Sequence, residues 1–381
     1  MRRALTLVAT LITLGIAFAA PRQSEAIPIF AQRYHLSCEV CHSVMPELNA
    51  FGNAFRDRGY RLPPSVPRHG TTVVALRYQL EYEEDPSAGA RRFTPGAVLL
   101  SNFDAGQISA FLHYNLGAQG GPSGLYLGFL SLYNERTNTL YRAGQFELPL
   151  PHSPGQRLDD LTAYGYETTH VGLDDLTLAS PRIGMEGQRA FGKTSVALSA
   201  AIGEFKGAPY GGAPIPTGES TRVSQPELGL FVTQHLSDAF SVGGEELNGD
   251  RAINQTGHFF DFGDRYRRSG LWASYDSSHV DVLAQQWWGY DNNADGLGDV
   301  LGSSGGFVRL RYWPLTWHHA FVGVRYDAAA NPAVLRDYIL YTGFMPTPHM
   351  RIVLQRVQQL GGGPGHFGGA LTIGFPWPLV Y

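Results

Sequence analysis

The sequence predicts a mainly β fold: an antiparallel outer-membrane β-barrel of about sixteen strands behind a short α-helical N-terminal domain. Three observations carry this reading. Segments of about ten residues alternate apolar and polar side chains along most of the chain. The connections between these segments alternate in length. Ahead of them, residues 38–42 read Cys38-Glu39-Val40-Cys41-His42, which accounts for both of the 2 cysteines present.

The elements follow in chain order. Arg2 and Arg3 precede an uncharged apolar stretch from Ala4 to Ala20, the pattern of a secretory signal peptide. Cleavage could follow Ala19 or Ala26, and the second site assigns residues 1–26 to the signal. An uncleaved anchor is the alternative, although the run is near the short limit for a spanning helix. Removing residues 1–26 removes three arginines and one glutamate, which moves the formal charge from −4 to about −6. That balance excludes a basic nucleic-acid binder.

C-x-x-C-H is the attachment signature of a c-type haem. The thiols of Cys38 and Cys41 would add across the haem vinyl groups, and His42 would be the proximal iron ligand. A thioredoxin-like disulfide wants a βαβ setting, and none follows. A structural zinc site wants a second ligand pair, which is missing. Residues 27–70 are therefore expected to form a monohaem cytochrome c domain with one covalent haem c. Within it, Pro46 suits a first helical turn. Leu48, Phe51 and Phe55 fall on one helical stripe. With Phe30 they would cover the haem, and Gly52 beside them would permit close approach.

Residues 71–381 are expected to form a porin-like barrel. The chain holds 46 Gly, 19 Tyr and 21 Phe with only 16% charged residues, a balance that suits glycine-rich strands and aromatic girdles. No apolar run after residue 20 is long enough for a spanning helix. Val74, Leu76, Tyr78, Leu80 and Tyr82 alternate with Arg77, Gln79 and Glu81. Ile108, Ala110, Leu112, Tyr114 and Leu116 alternate with Gln107, Ser109, His113 and Asn115, and Val308, Leu310 and Tyr312 with Arg309 and Arg311. Successive strand side chains face opposite ways, so each segment has one apolar and one polar side.

Strands are expected at 71–84, 95–103, 107–118, 124–133, 139–149, 181–190, 194–206, 225–236, 240–249, 264–276, 279–290, 304–314, 318–328, 336–346, 350–360 and 366–381. Fourteen strands is the alternative count. Tight links such as Asp104-Ala105-Gly106, Phe191-Gly192-Lys193, Ser237-Asp238-Ala239 and Ser277-Ser278 alternate with long ones at 150–180, 207–224, 250–263 and 291–303. Short periplasmic turns against long external loops fit a bacterial barrel. A soluble β-sandwich shows the same side-chain alternation but has no reason to alternate its loops. Leu371, Ile373, Phe375, Trp377, Leu379 and Tyr381 then form an apolar row resembling the terminal signal of outer-membrane barrels, broken on the other face by Pro376 and Pro378.

Residues 28–62 carry a more specific pattern: Pro28-x-Phe30-Ala31, Cys38-x-x-Cys41-His42, Pro46-x-Leu48, Phe51-Gly52, Phe55 and Gly59-Tyr60. This resembles the outer-membrane porin–cytochrome c fusion family, including the monohaem cytochromes of iron-oxidising bacteria. The resemblance implies a haem domain at the periplasmic end or in the lumen of a porin-like barrel. It implies electron transfer across the outer membrane, from extracellular Fe(II) to a soluble periplasmic cytochrome, with Fe(II) oxidase activity as one form of it. Two other readings remain at this point: a porin gated by the redox state of its haem, and a soluble periplasmic c-type cytochrome with a β domain.

The distal haem ligand stays open among Met185, His69, Met345, Met350 and His35, with a five-coordinate iron as the alternative. Met45 stands too close to His42 to reach the opposite face. Asp291, Asn293 and Asp295, with Asp299 beyond, have the spacing that opens a calcium loop, and Gly296 suits its turn. The bidentate glutamate is missing, since position twelve is Gly302. Arg77, Arg309, Arg311 and Arg325 have the parity of lumen-facing residues. They would line a polar pore, or meet haem propionates or the acids Glu39 and Glu47.

Overall fold

The computed structural model describes residues 28–34, 36, 38–44, 47–63, 66, 72–85, 90–117, 124–153, 159–174, 176–204, 222–253, 262–314, 320–331, 333–347, 350–360 and 365–377. The expected signal peptide, His35, Met45, Pro46, His69, Leu379 and Tyr381 lie outside them.

The N-terminal part holds helices α1 (Pro28–Tyr34), α2 (Cys38–Cys41) and α3 (Ala50–Asp57). A small antiparallel pair lies between the last two, β1 (His42–Val44) and β2 (Glu47–Leu48). The helix expected to begin at Pro46 begins at Ala50 instead. Asn49 is its N-cap, and its side chain accepts from the Gly52 amide at 2.9 Å. An asparagine that satisfies an orphan amide sets the boundary more firmly than a proline upstream. Leu48 therefore lies in β2, and of the expected stripe Phe55 is buried while Phe51 is 42% exposed.

Sixteen strands follow: β3 (Thr72–Asp85), β4 (Ala90–Ala105), β5 (Ile108–Asn115), β6 (Gly124–Asn134), β7 (Thr139–Phe146), β8 (Arg182–Phe191), β9 (Thr194–Glu204) and β10 (Arg222–His235). The second half holds β11 (Phe240–Ile253), β12 (Phe262–Asp276), β13 (Val280–Asp291), β14 (Leu301–Tyr312), β15 (Ala320–Asn331), β16 (Ala333–Thr347), β17 (Met350–Gln359) and β18 (His366–Trp377). Each pairs antiparallel with the next, and β18 closes on β3 with Leu371 opposite Leu80. Every expected strand is present. β4 runs through Pro95, which was expected to start it, and Pro376 keeps its register opposite Ala75.

The polarity of the barrel is inverted relative to a soluble protein. On β14, Val308, Leu310 and Tyr312 are 51%, 43% and 42% exposed, whereas Arg309 and Arg311 are 1% and 0% exposed. The same holds on β5, where Ile108, Leu112 and Tyr114 face out and Ser109, His113 and Asn115 face in. A soluble sandwich would bury the opposite set, so the soluble β domain is not the architecture of this chain.

One expectation is overturned. The described residues of the long connection between β7 and β8, expected outside, fold into the lumen. It carries the short helix α4 (Gly165–Thr168), and Tyr164, Tyr166, Leu148 and Leu178 are all buried. Length alone does not tell where a loop goes; the described apolar and acidic side chains of this one find partners inside.

Candidate functional site

Among the described residues, two segments share the lumen. The described residues of 28–62 occupy the end bounded by the tight turns, against β18 and β3 to β7, and reach β14 at Arg309. Tyr60 stacks on Phe30 with centroids 5.1 Å apart and on Phe111 of β5 at 5.0 Å. Phe111 continues the stack to Phe129 of β6 at 5.5 Å, and Phe55 meets Phe30 edge-on at 5.0 Å. Such pairs add about 0.5–1.5 kcal/mol each beyond area burial. Polar contacts fix the register. Arg33, wholly buried, donates to the Asn102 carbonyl at 2.6 Å and to the Asn102 side chain. Ser109 Oγ donates to the Gly59 carbonyl at 2.7 Å, and Arg61 pairs with Asp104 at 3.1 Å.

Within this segment Cys38 opens α2, Cys41 closes it, and His42 follows at once. Cys41 and His42 are both buried. The Asn49 amide donates to the Cys41 carbonyl at 3.0 Å, and the Asn49 side-chain amide to the Val40 carbonyl at 3.2 Å, so α2 is strapped to the cap of α3. Gly52 lies directly beneath, where an added Cβ would sit 2.1 Å from the Cys41 carbonyl oxygen. His42 Nδ1 lies 3.1 Å from the Glu47 carbonyl oxygen. A carbonyl only accepts, so Nδ1 donates, and the ring lone pair is on Nε2. Metal-bound histidines are commonly oriented in this way by a bond from the other ring nitrogen.

The inward loop occupies the opposite wall. Asp159 pairs with Arg311 at 3.4 Å and Arg309 at 3.7 Å, and accepts from the Tyr341 hydroxyl at 2.6 Å. Asp160 pairs with Arg325 at 2.8 Å, and Arg325 also meets Asp327 at 3.0 Å. Burial pushes Asp159 up, but Arg309 and Arg311 outweigh it and hold the carboxyl below its usual range. Asp160 goes the other way: burial, reinforced by Asp159 and Asp327, overcomes Arg325 and raises it to about 7. The two segments meet at Arg309, which donates to Tyr164 Oη at 3.0 Å and reaches Glu47 at 3.4 Å.

Of the residues expected from sequence, Cys41, His42, Phe30, Phe55 and Leu48 are thus gathered in one segment inside the barrel. Arg309, Arg311 and Arg325 face inward as their parity implied, and Arg309 finds Glu47. Met185 does not join them: it projects outward from β8 and is exposed, so the barrel wall separates it from His42. Met350 shares the outward parity of Leu354, whereas Met345 shares the inward parity of Ile339 and Tyr341. The expected calcium ligands are not assembled. Asn293 Oδ1 accepts from the Gly298 amide at 2.6 Å, Asp295 Oδ1 from the Leu297 amide at 2.9 Å, and Asp299 is exposed. Asp291 turns inward to Arg268 at 2.8 Å and lies near Asp174 and Asp264. Sequence reasoning missed Asp159, Asp160 and Tyr164. The available signal was a long connection rich in acids and tyrosines, in a chain whose strands aim arginines inward.

No protein-family model matches the chain, and no curated protein does. Solved structures do. The outer-membrane channel DcaP of Acinetobacter baumannii is 13% identical, with a TM-score of 0.56, over 80% of this chain and 96% of that one. The anion-selective porin from Comamonas acidovorans is 11% identical, with a TM-score of 0.54, over 81% and 99%. Salmonella typhi OmpF in complex with daunomycin is 10% identical, with a TM-score of 0.54, over 80% and 97%. The chain therefore has the fold of outer-membrane porins.

Proposed function

We propose that this chain is an outer-membrane electron-transfer protein, a porin-type barrel whose lumen carries one covalent haem c at Cys38, Cys41 and His42. The observation that carries the reading is the burial of Cys41 and His42 inside the barrel, with His42 Nδ1 committed to a backbone carbonyl. The residues present fit that group. The thiol and imidazole are adjacent in sequence and both buried, the Nδ1 bond fixes the ring orientation as second-shell bonds do for metal-bound histidines, and Gly52 keeps α3 flush against α2. Cys38 and Cys41 would hold the haem through thioether bonds. Bound there, haem supplies a one-electron iron couple. The aromatic cluster of Phe30, Phe55 and Tyr60 supplies buried apolar surface in the same segment. Low polarity of that kind disfavours the extra charge of an oxidised centre.

The outward apolar side chains suit a bilayer, and the porin fold suits the outer membrane. Extracellular iron(II) is the proposed substrate, losing one electron to become iron(III). A soluble periplasmic cytochrome is the proposed acceptor. Two segments lie where a solute would have to pass, which weighs against the gated-porin reading.

The test has two stages. Fractionated membranes are stained for covalent haem, which should run with the barrel and be lost in Cys41→Ser. Oriented vesicles then receive iron(II) outside, and the haem absorbance should shift to the reduced form. A barrel without haem ends the proposal. Haem that iron(II) leaves oxidised ends the iron assignment alone.

A further inference from the structure

The proximal imidazole is connected to the far wall of the lumen by a short chain of contacts. His42 Nδ1 donates to the backbone of Glu47. The Glu47 side chain, buried, meets Arg309 at 3.4 Å. Arg309 is 1% exposed and divides its guanidinium among Glu47, Asp281 at 3.0 Å, Asp159 at 3.7 Å and the Tyr164 hydroxyl at 3.0 Å. Asp159 and Tyr164 belong to the inward loop. Arg309 thus links that loop to the segment bearing Cys41 and His42.

We infer that Glu47 and Arg309 are a positioning pair for the His42 imidazole, with the inward loop holding the pair in place. The inference rests on the haem reading above. The backbone of Glu47 orients the ring, and the side chain of the same residue is anchored across the lumen. Glu47 therefore joins the imidazole to the contacts of the loop. The pair also sets the local charge. A buried carboxylate near the iron favours the oxidised state, which carries one more positive charge, and a buried guanidinium disfavours it. Both residues would act through His42 and through their charge, so they are positioning residues and not catalytic ones.

The test is the midpoint potential of the haem in the full-length barrel, with covalent haem staining as the measure of loading. Glu47→Gln removes a negative charge and should raise the potential. Arg309→Gln leaves Glu47 without its guanidinium and should lower it. Arg309→Lys keeps the charge and should restore most of that loss. Arg268→Gln breaks a buried pair with Asp291 elsewhere in the lumen and should leave the potential unchanged. Opposite shifts with haem content retained support the pair. Unchanged potentials in loaded Glu47→Gln and Arg309→Gln, or a shift of the same sign in all four variants, overturn it. A wild-type barrel without haem overturns the reading beneath and this inference with it, and staining distinguishes that failure from the other.

Discussion

Tyr60 has a positive φ of 62°, directly after Gly59 at 69°. Two consecutive residues in the left-handed region turn the chain sharply out of α3, and for a tyrosine that conformation is costly. Stacking of Tyr60 between Phe30 and Phe111 holds it. Gly52 is constrained differently, by the carbonyl that would lie 2.1 Å from its Cβ. Gly52→Ala should cost about 1–3 kcal/mol as an overpacked contact. The predicted readout is reduced covalent haem at unchanged barrel yield, measured by haem stain against total protein; equal haem would refute it. Asn49→Ala should be milder, about 1 kcal/mol for a lost N-cap, seen as faster hydrogen exchange across 50–57. The pentapeptide stands out in the sequence because its spacing is local. The cap at Asn49 was hidden by Pro46, which carries a stronger general preference for helix starts.

The inward loop is held by buried ion pairs as well as by apolar packing. Removing one partner of a buried ion pair leaves the other without compensation, at about 3–5 kcal/mol. Arg325→Ala strands both Asp160 and Asp327 and should free the loop, detected as new protease cleavage between 150 and 180 in intact vesicles. The loop should also respond to pH. The folded Asp160 carboxyl is raised to about 7 from an ordinary 3.8, so its contribution is fully present below about pH 4 and is lost as pH rises through about 7. Asp159 is lowered, so its contribution is present above its ordinary range and is lost as acid protonates it. Loop cleavage should therefore increase as pH rises through about 7, and Asp160→Asn should abolish that step. A step that persists in the variant would assign it elsewhere. The arginines that receive the loop were readable from strand parity. The acids that answer them were not, because period two stops at a strand end and nothing in a loop's composition states its direction.

For the molecule as a whole, alternation and connection length together gave the strand count, since both follow from backbone geometry that every barrel shares. They also gave the inside and the outside. A Leu310→Lys substitution on the outer face should cost about 2–4 kcal/mol if it lies near the bilayer centre. Equilibrium folding into lipid vesicles measures this, and a soluble-like tolerance would contradict the outward face. The filled lumen leads to a further expectation: in planar bilayers the intact chain should conduct far less than an open sixteen-stranded porin. What sequence could not supply was the relation between the two lumen segments, because Glu47 and Arg309 lie 262 residues apart.

The seam between β18 and β3 sets an order on the life of the protein. It joins the last strand to the first, the contact with the longest sequence separation in the barrel and so a late one to form. Residues 28–62 precede that first strand and end up enclosed. On the haem reading proposed above, the group would have to be attached to Cys38 and Cys41 while the chain is still open, since Cys41 and His42 are buried once the wall is complete. On that reading maturation and membrane insertion become successive steps, and a barrel closed too early would be a dead end that no later supply of cofactor could repair.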